Sequence, residues 1–420
     1  MNVIIVGAGI GGLTLALCLE RIGIASRIYE LAPRLRPLGV GINILPHASK
    51  VFAELGVDVE LERVSIATRE AVFFNRFGQL IYREALGRYA GYAHPQYSIH
   101  RGELQRVLLD AVLTRLGADA VVSGCRCVAV DADAHGAVAH FERSAGGATI
   151  PPQRADAVIG CDGLHSTVRK LLHPAEGPPL YSGVNMWRGV TVCPPILTGA
   201  SMIRAGWLKT GKMVIYPIRD RVDAKGRQLV NWVAEVETPG TTDRDWNRSG
   251  SVDDFIGAFD AWHFDWLDVP AMIRSTENIL EFPMVDQDPL PWWSRGRVTL
   301  LGDAAHPMYP RGSNGAGQAI LDASALASAF AAHDDPVAAL KSYETDRLPF
   351  TAEVVRMNRR NPPDAILREV FERTGDTPFA RVEDVISAQE LAAMSEGYKR
   401  VAGFDRASLT APDPLLPQRS

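Results

Sequence analysis

The opening stretch, MNVIIVGAGIGGLTLALCLERIGIASRIYE, constrains this chain more than any other. Asn2–Val6 is a β-branched run of the kind that forms a strand buried on both faces. Gly7, Gly9 and Gly12 follow as G-x-G-x-x-G, and Leu13–Arg21 carries the apolar spacing of a helix. A second apolar strand ends on Glu30. This order suits a dinucleotide. The glycines admit a tight turn and the close approach of a pyrophosphate, whose charge the helix N-terminus favours. An acid placed as Glu30 is bonds the ribose hydroxyls. The pattern does not say which dinucleotide.

A membrane anchor is the competing use of such an apolar start. The apolar run Val3–Leu19 is broken by four glycines, follows no basic leader and falls short of the ~20 residues a span requires. The expectation is a chain with no membrane span. A net charge of −5 with no dense Lys/Arg cluster argues against a nucleic-acid surface. Cys18, Cys125, Cys127, Cys161 and Cys193 are odd in number, sit in apolar contexts and form no C-x-x-C pair. They read as reduced packing residues of a cytoplasmic protein, and no metal site is expected.

Leu31–Ile44 reads as a loop that runs back along a bound cofactor, and Pro46–Leu55 as a helix. Arg69–Arg83 alternates as two strands around the Phe77-Gly78 turn. Tyr97–Gln105 joins a strand to a helix whose apolar face is Leu104, Val107, Leu108, Ala111, Val112 and Leu116. Arg101 and Gln105 open that helix, either as cap and surface ion pair or as donors to a cofactor. Val121–Ala132 and Ala137–Phe141 read as a strand pair. Ala157–Arg169 is a strand, an Asp162-Gly163 turn and a helix, with the turn where open α/β sheets place ligands.

Between Tyr181 and Phe282 strand-like stretches (Val184–Val192, Lys212–Pro217, Leu229–Val236) alternate with Gly, Pro and charged loops, and Trp246–Trp266 reads as helical. Arg297–Leu301 returns to a buried strand, followed by Gly302-Asp303-Ala304-Ala305-His306-Pro307. A helix from about Ala316 to Ala332 comes next, with Asn314 available as its cap. Further helices fill Pro336–Arg360 and Pro363–Phe404, and Thr410–Ser420 reads as a loose end. The whole is an α/β chain. One dinucleotide-binding domain is assembled from 1–70, 95–178 and 283–335, and a mainly antiparallel substrate domain from 71–94 and 179–282 is inserted into it. Residues 336–420 form a C-terminal helical segment. A pocket between the two sheets is the expected small-molecule site.

G-x-G-x-x-G with Glu30, then Asp162-Gly163-Leu164-His165-Ser166-Thr167-Val168-Arg169, then Gly302-Asp303-Ala304-Ala305-His306-Pro307 resemble, in that order, the three fingerprints of the single-component (group A) flavoprotein aromatic hydroxylases, the para-hydroxybenzoate hydroxylase-like family. The likeness covers residues 1–350. Arg36–Pro46, Pro95–Gln105, Met186–Thr191 and Phe282–Pro291 are similar to the branch that hydroxylates phenazine carboxylates, a likeness that ends near residue 355 and does not transfer a substrate. Ser313 stands where the family usually carries Gly, with Gly312 one place earlier.

The resemblance implies a Rossmann-like, glutathione reductase-type FAD-binding sheet. Gly7, Gly9 and Gly12 approach the FAD pyrophosphate, Glu30 binds the ribose, and Gly41 lies along the cofactor. Arg101 and Gln105 reach the pyrophosphate and ribityl region, Val128 meets the adenine through its backbone, and Asp303 bonds the ribityl chain. Gly315 and Ala316 present N–H groups to the flavin at a helix N-terminus, which suits an anionic reduced flavin. Asp162 and Arg169 help hold FAD and a transient pyridine nucleotide. The absence of a second G-x-G-x-x-G agrees with NADH or NADPH as a co-substrate that docks and leaves.

The activity implied is monooxygenation of a small aromatic or N-heteroaromatic substrate with O2 through a flavin C4a-hydroperoxide, by a monomer or homodimer. A reductase or oxidase on the same fold, inserting no oxygen, is the alternative. No protein residue is assigned as catalytic, because the flavin carries the chemistry. Met186, Trp187 and Tyr216 line either an aromatic site or the sheet core. Arg311 either attracts a substrate carboxylate or faces solvent. His306 reads as structural, and His47 and His100 as ordinary.

Overall fold

The computed structural model describes residues 1–35, 39–240, 248–360 and 363–409. Five parallel strands form its first sheet, in the order Val298–Leu300, Ala157–Gly160, Asn2–Val6, Ala25–Glu30 and Val121–Ser123. The Val3–Val6 run sits at the centre and is buried throughout. The Ile10–Arg21 helix packs against the sheet and against the Gly315–Ala332 helix. Gly11 makes that approach possible, since a Cβ there would stand 2.8 Å from Leu301 Cδ2 and 3.3 Å from Ala319 Cβ.

The expected Val121–Ala132 strand is two strands. Gly124, at φ +71°, breaks it. Val121–Ser123 extends the parallel sheet beside Glu30, while Cys125–Ala132 pairs with Ala137–Arg143. A third strand, Thr149–Ala155, joins that pair, and its Pro151-Pro152 is tolerated at the sheet edge. The end of the expected 31–44 loop is also a strand, Gly41–Ile44, which pairs with Tyr97–His100 in a small sheet completed by Ser65–Ala67.

The largest sheet has eight strands, in the order Arg248–Ser249, Ile279–Asp286, Leu180–Cys193, Gln228–Glu237, Gly211–Arg219, Ser201–Trp207, Glu70–Phe74 and Leu80–Ala85. Every pairing is antiparallel except that of Ser201–Trp207 with Glu70–Phe74. One face buries Trp187, Trp232, Ile203, Ile215 and Val72 against Phe255, Phe259 and Trp262. The other carries the small sheet and the C-terminal helices.

The 246–266 stretch is not a helix. Among the described residues it forms short 3-10 turns at Val252–Asp254 and Ile256–Ala258 and a two-residue hairpin, His263–Phe264 with Leu267–Asp268; Trp246 lies outside the described residues. Phe255, Phe259 and Trp262 repeat at helical spacing, but their rings interlock with the sheet, Trp187 on Phe255 at 4.9 Å and Phe259 on Trp262 at 5.0 Å. Ring packing outweighs the local period here.

Beyond the Gly315–Ala332 helix come helices Pro336–Arg360, Ala365–Thr374, Ala388–Val401 and Arg406–Leu409. The expected loose end, 410–420, lies outside the described residues, as do residues 36–38 of the phenazine-like segment. Asn314 does not cap its helix: its amide donates to the Tyr398 hydroxyl instead. No helix among the described residues is long and apolar enough to cross a membrane.

Candidate functional site

At the C-terminal edge of the parallel sheet the glycine loop closes on itself. Gly7 takes φ +105°, and a Cβ there would stand 2.5 Å from the Cys161 carbonyl oxygen. A Cβ on Gly12 would overlap the Gly7 carbonyl oxygen, whereas one on Gly9 would meet nothing within 4 Å. Two glycines therefore serve the fold of the turn, and the middle one leaves its outer surface open at a helix N-terminus. Glu30 is held against this loop: its two carboxylate oxygens accept from the Ala8 and Ala32 amides, each at 2.7 Å. Gln105 Nε2 donates to the Ala8 carbonyl at 2.8 Å. Arg101 begins its helix with an exposed side chain beside Gly39, and its amide donates to the Val40 carbonyl. His100 Nδ1 accepts from Gly102 and caps that helix. Val128 is exposed on the Cys125–Ala132 strand.

The second motif is bonded to the third. Asp162 accepts from the Ser166 hydroxyl and from the Thr167 and Val168 amides; burial raises its pKa against those bonds. Arg169 is buried and donates to the Ala304 and Ala305 carbonyls at 3.0 and 2.8 Å and to Glu176 at 2.6 Å. Its guanidinium thus ties the two motifs together. Asp303 stays exposed, and a Cβ on Gly315 would stand 3.7 Å from its Oδ1. The Gly315 and Ala316 amides open a helix and have no carbonyl a turn earlier to accept them.

Beneath this edge lies a network the sequence did not announce. Asp322, wholly buried, accepts from the Gly302 amide at 3.1 Å, bonds His306 Nε2 at 2.6 Å and receives Arg347 Nε at 2.8 Å. Burial pushes the Asp322 pKa up, but the His306 and Arg347 charges outweigh it and hold the carboxylate below its usual range. His306 is structural, as its motif suggested.

The third wall is the inner face of the eight-stranded sheet. Met186 and Tyr216 lie on it; Met186 packs with Tyr309, and Tyr216 with Met202. Trp187 does not. Successive strand residues take opposite faces, and Trp187 is buried in the aromatic core behind the sheet. Gly41 meets this face edge-on: its amide donates to Asn231 Oδ1 at 2.7 Å, and a Cβ would stand 2.7 Å from Asn231 Cβ and from the Tyr216 ring. Arg204 and Lys212 also stand here. Lys212 pairs with Glu235 at 2.9 Å and with Asp364, and Arg204 with Asp364 at 3.0 Å. Burial raises the Asp364 pKa, but the two cations outweigh it and hold the carboxylate low. These four were missed; charged side chains at alternate positions of otherwise apolar strands were the available signal for three of them.

The Arg311–Ser313 turn covers this wall, with the Arg311 guanidinium over the Tyr309 ring at 5.6 Å. Ser313 takes φ +58°, a conformation glycine adopts freely, which accounts for glycine being usual at this position. A Cβ on Gly312 would overlap the Tyr398 hydroxyl. That hydroxyl accepts from Asn314 and donates to Asn358 Oδ1 at 2.9 Å, so the C-terminal helix is fastened to the turn.

His47 is not ordinary. It is buried beside Gly317, stacked on Phe404 at 5.7 Å, and neither ring nitrogen has a partner among the described residues. Burial, with Arg347 nearby, pushes its pKa down to about 3. The unfolded chain binds this proton near pH 6.5 and the folded one does not until about pH 3, so stability falls as pH drops through that window. Between pH 7 and 5 the loss attributable to His47 is about 2 kcal/mol. Urea unfolding of the wild type and His47→Leu at both pH values is expected to show that loss in the wild type and its absence in the variant. Equal losses would assign the acid sensitivity to another group.

Comparison with known proteins agrees with this arrangement. The FAD binding domain family model matches residues 1–195 and 282–358. The phenazine 1,6-dicarboxylic acid hydroxylase PhzS of Lysobacter antibioticus is 43% identical over 405 residues, covering 95% of this chain and 97% of that protein. The 6-hydroxynicotinate 3-monooxygenase of Bordetella bronchiseptica is 32% identical, covering 86% and 91%. Klebsiella pneumoniae HpxO, solved with FAD and uric acid, shares the fold at a TM-score of 0.75 and 24% identity, covering 98% and 97%. The open Gly9, the Glu30 carboxylate against the loop and the exposed Asp303 at a helix N-terminus are a cradle that FAD fits. By motif, fold and likeness, the chain belongs to the FAD-dependent aromatic hydroxylases.

Proposed function

We propose that the protein is a single-component, NADH- or NADPH-dependent monooxygenase that adds one atom of O2 to a small aromatic or N-heteroaromatic ring bearing an acidic group. The observation that carries the reading is the wall opposite the FAD cradle. Met186, Met202 and Tyr216 give it an apolar, aromatic surface, and Arg188, Arg204 and Lys212 stand among them. The acids and hydroxylated heterocycle in the relatives' names support the same substrate class.

Bound FAD supplies hydride acceptance and oxygen activation. The chain's own task is holding and sealing. Gly7, Gly9 and Gly12 would hold the pyrophosphate, Glu30 the adenosine ribose, and Asp303 the ribityl chain. The Gly315 and Ala316 amides would face the ring, with Gly41 along it and Arg101, Gln105 and Val128 around the nucleotide. Asp162 shapes the edge where a pyridine nucleotide would dock, and Arg169 positions the third motif. Met186 and Tyr216 would line the substrate pocket, with Arg311 over it and the Tyr398 fastening excluding water. Five free cysteines support a reducing, cytoplasmic setting.

The test is oxidation of NADH and NADPH by FAD-loaded protein with hydroxylated and N-heteroaromatic acids under ¹⁸O₂, with peroxide measured in parallel. Stimulated oxidation with label in the product is expected. Stimulated turnover with unlabelled product would replace the hydroxylase reading with a reductase or oxidase.

A further inference from the structure

Arg188 stands on the inner face of the eight-stranded sheet, opposite Val233 and two places from Met186. One of its terminal nitrogens donates to the Gly41 carbonyl at 2.8 Å, and the Tyr216 hydroxyl lies near enough to act on the guanidinium. Both neighbours are neutral, since burial raises the Tyr216 pKa further above neutrality. Arg188 Nε is closed off from solvent and has no partner among the described residues. Among the described residues no carboxylate forms an ion pair with Arg188.

The other cations of this face are answered. Lys212 is paired with Glu235 and Asp364, and Arg204 with Asp364. Glu235 acts on Arg188 through space but is bonded to Lys212 at 2.9 Å. Arg101, beside Gly39, adds a second positive charge that acts on Arg188. The return of the chain at Gly39–Gly41 is therefore flanked by two cations, and the deeper one has only neutral acceptors. A guanidinium whose Nε–H is closed off from water and left open is costly in the bare protein, and its planar fork matches an ionised oxygen.

We propose that Arg188 binds an anionic oxygen at the junction of the two sheets, supplied either by an ionised substituent of the aromatic substrate or by the reduced flavin. This rests on the reading of that junction as the active site. The role is distinct from that of the Lys212–Glu235–Asp364–Arg204 cluster, which is internally balanced, and from the Gly315 helix terminus, which offers neutral N–H groups.

The test compares FAD-loaded wild type with Arg188→Met and Arg188→Lys in two binding equilibria. The first is the dissociation constant of phenazine-1,6-dicarboxylate and of 6-hydroxynicotinate, each against its neutral amide, followed by perturbation of the flavin spectrum. The second is the reduction equilibrium of the bound flavin. A loss of about tenfold or more for an acid in Arg188→Met, with its amide unchanged and partial recovery in Arg188→Lys, assigns the oxygen to the substrate. A shift of about tenfold in the reduction equilibrium against the reduced form, with ligand binding unchanged, assigns it to the flavin. Neither change, whether or not an acid binds the wild type, overturns the proposal. Both readouts hold if turnover proves to be that of an oxidase, so failure here is separate from failure of the hydroxylase reading. Unfolding of apo Arg188→Met separates a merely structural arginine: such a role predicts clear destabilisation, and an anion site predicts little or none.

Discussion

Gly12→Ala is expected to yield protein without bound flavin, and Gly9→Ala protein that folds normally but binds flavin weakly. The contrast follows from what each added methyl meets. At Gly12 it would overlap the Gly7 carbonyl oxygen, so the first turn of the helix and the loop before it must separate. Forced overpacking of this kind costs about 1–3 kcal/mol, and here the strain falls on the loop amides that would face the pyrophosphate. At Gly9 the methyl meets no protein atom within 4 Å. Apo stability should then stay within about 0.5 kcal/mol of wild type, as for a surface change. The methyl stands where the pyrophosphate would approach. Losing one or two charge-assisted bonds there lowers FAD affinity by about 10- to 100-fold. Fluorescence titration of apo protein with FAD, beside urea unfolding of the apo forms, measures both. Undiminished affinity in Gly9→Ala would remove the pyrophosphate from this loop.

Asp322→Ala is expected to be the most destabilising single change in the molecule's interior polar network. Asp322 alone answers Arg347 Nε, His306 Nε2 and the Gly302 amide. Removing it strands a nearly buried guanidinium, and breaking such a pair from one side costs about 3–5 kcal/mol. Asp322→Asn keeps the shape and one acceptor, and should lose less. The change also reaches the cofactor, because Gly302 precedes Asp303 and His306 ends the same turn. FAD affinity should therefore fall in both variants, more in Asp322→Ala. Denaturant midpoints of the FAD-saturated proteins decide the first point and FAD titration the second. A loss under about 1 kcal/mol in Asp322→Ala would show that Arg347 finds another acceptor, Gln318 being already bonded to it at 2.6 Å.

The legible parts of the site were those built from neighbours in sequence. Glu30 reaches Ala8 across twenty-two residues of one strand–turn–helix–strand unit, and Ser166 and Asp162 lie in one turn. Patterns of that length carry their own geometry. Errors arose where a local pattern had more than one use. Phe255, Phe259 and Trp262 satisfied a helical period but were claimed by rings from the sheet. Asn314 satisfied a cap but was claimed by Tyr398. Met186 and Trp187 could not share one face of the sheet, and only the pairing with Glu235 and Ala234 on the neighbouring strand, with the aromatic core behind it, shows that Trp187 belongs to that core.

What the sequence by itself determined is the strand–turn–helix geometry of the three motifs, in which Gly7 and Gly12 leave no room for a side chain. Only the tertiary structure decided the opposite wall. Arg204 and Asp364 meet across 160 residues, Gly41 and Arg188 across 147, and Asn314 and Tyr398 across 84. Bonds of that span leave no periodic trace, because their geometry is set by how sheets and helices stack and not by any repeat along the chain. Which strand charges are paired, and that Arg188 has no carboxylate partner among the described residues, becomes visible only once the layers have closed.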